Sequence, residues 1–101
     1  MNVTASTHLY SFDATYPLFG DISLVDWETE VLASAQNDGK IIDYSIVGYR
    51  NAAFGLRYVH FRVVVKIDNG MTEEEIDQLA LKFCNELVRD TDVEINDVSA
   101  L

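Results

Sequence analysis

Two histidines sit in otherwise apolar stretches, each with a tyrosine two residues away: His8-Leu9-Tyr10, and Tyr58-Val59-His60-Phe61-Arg62. If two copies of the chain closed sheet against sheet, His8, Tyr10, Tyr58, His60 and Arg62 would line a pocket in which a histidine serves as general base. No nucleophile stands in sequence beside a base and an orienting group, so we assign no catalytic set. The lone thiol, Cys84, falls within a helical pattern and has no disulfide partner in the chain. Its expected role is that of a small buried hydrophobe.

Charge supplies a second chemistry. The net charge is −10 and the sequence pI about 4.3, so the overall field draws the chain to basic surfaces rather than to nucleic acid. The distribution is uneven. Between positions 40 and 66, Lys40, Arg50, Arg57, Arg62 and Lys66 face one acid, Asp43, for a net +4; the remainder has 16 acids against Lys82 and Arg89, a net −14. The acids expected to meet a basic protein are Asp26, Glu30, Glu73, Glu74, Asp77 and Glu86. Asp90-x-Asp92-x-Glu94-x-Asn96 has the alternating spacing of a calcium loop, but lacks the glycine at its sixth position and the glutamate at its twelfth. It reads instead as an acidic loop that ends a helix and leads into a strand. With no zinc quartet and no phosphate-cradling glycine loop, no metal and no cofactor are expected.

These side chains must be carried by elements that the sequence marks out. Thr72 and Glu75 have capping-box spacing, with Met71 and Ile76 as the flanking staple. Ile76, Leu79, Ala80, Phe83, Leu87 and Val88 then recur at helical spacing, with Glu73, Glu74, Asp77 and Glu86 on the other side. An earlier helix starts at Ser23 as N-cap, with Asp26 in place of the usual glutamate and Ile22 against Trp27 as staple. It turns Leu24, Trp27, Val31 and either Ala35 or Leu32 inward and ends at Asn37-Asp38-Gly39. Strand patterns cover HLYSFDAT, KIIDYSIVGY, LRYVHFRVVVKI and VEINDVSAL.

In the third of these, Val59, Phe61, Val63, Val65 and Ile67 share one parity and build the core. Leu56, Tyr58, His60, Arg62, Val64 and Lys66 share the other. On the second, Ile42, Tyr44 and Ile46 are the inward set and Asp43, Ser45 and Tyr49 the outward one; the opposite register fits nearly as well. The order β-α-β-β-α-β predicts a ferredoxin-like α+β domain, a four-stranded antiparallel sheet with both helices on one face. Its other face is open and carries Tyr10, Tyr49, Tyr58, His60 and Arg62.

One domain accounts for residues 1–101, with 1–7 expected to fray. The start has neither a basic segment nor an apolar one of the secretory kind, and no run is long enough to span a bilayer, so the cytoplasm is expected and a membrane is not. Without such a signal the sequon Asn2-Val3-Thr4 reads as chance.

The stretch Phe54-Gly55-Leu56-Arg57-Tyr58-Val59-His60-Phe61 resembles the third-strand signature of the RNA-recognition-motif family at Gly55, Tyr58, Val59 and Phe61, and departs from it at Phe54, Leu56 and Arg57. The resemblance implies bases stacked on Tyr58 and, from the first strand, on Tyr10. In size and acidity the chain also looks like the small inhibitors that phages direct against nucleic-acid-binding proteins. The function expected from these observations is a non-enzymatic module that binds a protein with a basic surface, with a homodimer as a possible assembly. A small-molecule enzyme closed sheet to sheet and an RNA binder working through the open sheet are the alternatives.

Overall fold

A computed structural model describes residues 7–101. The expectation of fraying at 1–6 and the sequon at Asn2 lie outside the described residues, whereas Thr7 already stands opposite Asp68 in a strand pair. The elements are β1 (Thr7–Leu18), a helix α1, β2 (Asp43–Asn51), β3 (Arg57–Asp68), α2 (Glu73–Val88) and β4 (Glu94–Ala100); α1 runs unbroken through Leu24–Trp27, Glu28–Ala33 and Ser34–Asn37. The result is an α+β fold with one four-stranded sheet in the order β2-β3-β1-β4, antiparallel at every pairing. No helix among the described residues is long and apolar enough to cross a membrane.

The helices begin where their caps are written. Ser23 Oγ accepts the Asp26 amide, and at α2 Thr72 Oγ1 accepts the Glu75 amide while Glu75 Oε1 accepts the Thr72 amide. At the end of α1, Gly39 takes φ +78°, and the Lys40 amide reaches back to the Ala35 carbonyl. The middle of α1, Glu28–Ala33, is a π turn. Its wide i→i+5 spacing puts Trp27 and Leu32 on one face, so Leu32 is fully buried and Val31 only half-buried.

Alternation on β3 holds along its length: Val59, Phe61, Val63, Val65 and Ile67 are all buried. Phe12 and Ala14 lie opposite Val63 and Phe61, which gives the central β1–β3 pair one apolar face. Both helices cover that face, since Trp27 of α1 meets the Phe61 ring edge-on at 5.4 Å and Phe83 of α2 meets Phe12 at 6.1 Å. Phe12 and Phe61, both fully buried, each contribute about 1.5–3 kcal/mol by burial alone. β1 continues past the expected strand as far as Leu18 and includes Pro17. The proline is tolerated because β4 pairs β1 only as far as Thr15, so no ladder partner is missing on that side.

On β2 the inward set is Tyr44 and Ile46, opposite Val63 and Phe61. Ile42 was expected to join them but is exposed, and Ile41 is buried in its place, because the strand proper starts only at Asp43.

Candidate functional site

The open face of the sheet is built by residues opposite one another across β1 and β3. Asp13 faces Arg62, and Thr15 faces His60. Arg62 holds Asp13 in a two-pronged contact, Nε to Oδ1 at 2.6 Å and Nη2 to Oδ2 at 3.1 Å. The Asp13 hydrogen bond and charge raise the Arg62 pKa above its ordinary value; partial burial opposes this and Asp97 adds to it. His60 Nε2 lies 3.9 Å from Asp13 Oδ2, beyond hydrogen-bond range, and is buried with no hydrogen-bond partner. Asn96 Nδ2 donates to Thr15 Oγ1 at 2.6 Å. The Arg50 guanidinium stacks 4.4 Å above the Tyr58 ring. A cavity of about 320 Å³ opens among Thr15, Gly48, Tyr49, Arg50, Tyr58 and His60.

Tyr58, His60 and Arg62 are thus brought together as expected on this face, and three other expected members are not. Tyr10 stands opposite Val65 and packs against the core, so it points to the helices. Its parity with Phe12 and Ala14 fixes this, and Tyr10 and Tyr58 cannot form one stacking platform. His8 stands opposite Ile67, likewise of core parity, with Nε2 3.3 Å from Asn69 Oδ1. It shares no pocket with His60. Tyr49 lies opposite Val59, because a bulge between Ile46 and Gly48 shifts β2 by one residue and turns Gly48 and Arg50, instead of Tyr49, toward the open face, so Tyr49 borders the cavity there without sharing the parity of Tyr58 and His60. The residues that sequence reasoning passed over are Asp13, Thr15, Asn96 and Arg50. Asp13 carried a signal, as the only acid in an apolar strand and of parity opposite to Phe12.

The acids of the helical side fall into separate groups. Glu30 of α1 and Glu86 of α2 line one groove of about 360 Å³ together with Asp38, the cations Lys40 and Arg89, and the apolar Val31, Ala35, Phe83 and Leu87. Asp77 lines another, of about 780 Å³, between α2 and β4. Glu73 and Glu74 occupy the first turn of α2, and Asp26 that of α1, where negative charge suits the helix dipole. All six expected acids are exposed. Among the described residues the close charge contacts are those of Asp13 with Arg62 and, at 3.9 Å, with His60, so none of the six forms an ion pair, although Lys40 and Arg89 share the groove of Glu30 and Glu86.

The acidic run after α2 is a turn into β4. Asp90 Oδ1 accepts the Asp92 amide and its Oδ2 accepts the Tyr16 hydroxyl at 2.8 Å. These bonds hold the Asp90 carboxyl below its ordinary pKa, while burial and then the bond to Asp90 push the Tyr16 hydroxyl up to about 12. No protein-family model, no curated protein and no solved structure matches the chain.

Proposed function

We propose that the chain is a non-enzymatic protein-binding module whose acidic helical side engages a basic protein surface, in the manner of a small inhibitor that occupies a site meant for phosphates. The carrying observation is that Asp26, Glu30, Glu73, Glu74, Asp77 and Glu86 are exposed and form no ion pair among the described residues. On the sheet side, by contrast, Arg62 is already spent on Asp13 and Arg50 lies on Tyr58. The uncompensated field therefore points outward from the helices, where it steers a cationic partner. The element order together with the sheet order β2-β3-β1-β4 supports reading the fold as the ferredoxin-like split βαβ arrangement.

The test is binding to a panel of small basic proteins at low and high salt. Glu74 and Asp77 lie three residues apart on one helical face, so Glu74→Lys with Asp77→Lys inverts the charge of that patch. Binding should weaken by about tenfold or more and fade as salt rises. Salt-insensitive binding that is lost on Tyr58→Ala would move the contact to the sheet and overturn the reading.

A further inference from the structure

Sheet order leaves β4 at an edge, and its outer side is unpaired among the described residues. The Leu101 amide donates to the Leu9 carbonyl at 2.9 Å, and Ser99 stands opposite Ser11 in the same register. Backbone groups alternate along a strand, so Ser99 and Leu101 are turned to β1 while Val98 and Ala100 direct theirs away from the sheet. The bulge at Asn96 lies before this stretch and leaves it regular. Such an edge is a template for another strand unless it is guarded.

The guards on β4 are of one sign. Thr15 and Asp13, opposite Glu94 and Asp97, belong to the open face, so both acids point to that side. Ile95 and Val98 point to the helices and are half-buried. Beyond them the groove between β4 and α2, about 780 Å³, is lined by Leu81, 45% exposed, and by Asp77, Asp92, Glu94 and Asp97, with no lysine, arginine or histidine. Two copies paired through this edge would set acid against acid, which disfavours self-association. A cationic strand meets the opposite situation.

We propose that the outer edge of β4, with the groove beneath α2, takes an extended basic segment of a partner protein as a fifth strand. The inference rests on the acidic-surface reading above and gives it a place and a geometry. The backbone of the segment bonds to Val98 and Ala100. Its alternate side chains divide between an apolar set against Leu81, Ile95 and Val98 and a lysine or arginine set toward Glu94 and Asp97.

The probe is a short peptide alternating lysine and valine, titrated at low salt while amide signals and amide hydrogen exchange are followed by NMR. A peptide alternating lysine and proline has the same charge but lacks the ladder amides, and one alternating glutamate and valine reverses the sign. The lysine–valine peptide should bind at least about tenfold more tightly than either control, slow exchange at Val98 and Ala100, and lose its advantage in Glu94→Lys with Asp97→Lys. Equal binding of both lysine peptides would overturn strand addition while leaving the acidic-surface reading in place. If no peptide binds but the basic protein panel does, the β4 edge is likewise excluded alone. Failure of the peptides and the panel together overturns both.

Discussion

Replacing Tyr16 by phenylalanine removes one oxygen and keeps the ring. That oxygen joins the end of β1 to the turn after α2 through a 2.8 Å bond to Asp90, while the ring stacks on Trp27 at 5.9 Å with planes 15° apart. A hydrogen bond to a charged acceptor is worth about 1.5–3 kcal/mol, but the Asp90 carboxylate can take up water once the hydroxyl is gone, so the expected loss is about 1 kcal/mol. In a domain of this size that is about 4–8 °C in Tm. The pH dependence is more diagnostic. In the fold Tyr16 keeps its proton up to about pH 12, against 10.0 for an ordinary tyrosine. Between those values the unfolded chain has lost the proton and the folded chain has not. The Tyr16 contribution is therefore complete below about pH 10 and is lost as pH rises from 10 to 12. A fully burdened site would lose about 1.4 kcal/mol per pH unit there, and solvent around the half-buried ring screens this to a fraction. At the acid end, Asp90 titrates below 3.8, so its contribution is present above that value and is lost as pH falls through and below it. Urea unfolding followed by the fluorescence of Trp27, the single tryptophan and buried, reads both limbs. Tyr16→Phe should be less stable at pH 7 and flatter between pH 10 and 12 than the parent. An unchanged alkaline slope would refute the assignment of that limb to Tyr16.

Thr72→Ala should cost about 1 kcal/mol, and adding Glu75→Ala should cost less than the sum of the two singles, since each reports on the same reciprocal cap; a double-mutant cycle in urea checks this. Phe54 has φ +63° and is wholly exposed, so Phe54→Gly should raise stability by about 0.5–1 kcal/mol by relieving the left-handed backbone without losing a contact. Cys84 is fully buried, with burial pushing its thiol up to about 12, so it should react with a thiol reagent only at the rate of unfolding; fast labelling at pH 7 would contradict its placement.

What could be read in advance was local or strictly periodic. The caps at Ser23 and Thr72 need only residues three positions apart, and the inward set of β3 needs only alternation. Tyr10 was equally legible, because Ser11, Asp13 and Thr15 mark the polar parity of β1 and leave Tyr10 with Phe12 and Ala14; the family resemblance drew it to the wrong face. Tyr49 was not legible. A bulge adds one residue to a strand with no change in composition, and every later side chain then swaps faces. The π turn in α1 hides in the same way, since it exchanges Val31 for Leu32 without a glycine or proline to announce it. The pairing of Asp13 with Arg62 depends on the register between strands 49 positions apart in sequence, which no local pattern encodes.

That pairing bears on how charge is used across the molecule. The segment from 40 to 66 is basic by sequence, yet on the open face its central cation, Arg62, is bound to Asp13, and Asp97 stands across from Asp13 on β4. Arg62 is thereby answered by acids from β1 and β4, while Arg50 lies over the Tyr58 ring and Arg57 donates to the Gly20 carbonyl. The helical side is less evenly balanced: five of the seven basic residues of the chain lie between 40 and 66, and α2 itself has only Lys82 among its acids. An excess of one sign that the fold does not cancel weakens the folded state through self-repulsion and is maintained at that cost. Pairing with a cationic surface would remove the repulsion as well as add attraction, so ligand binding and thermal stability should rise together for this chain.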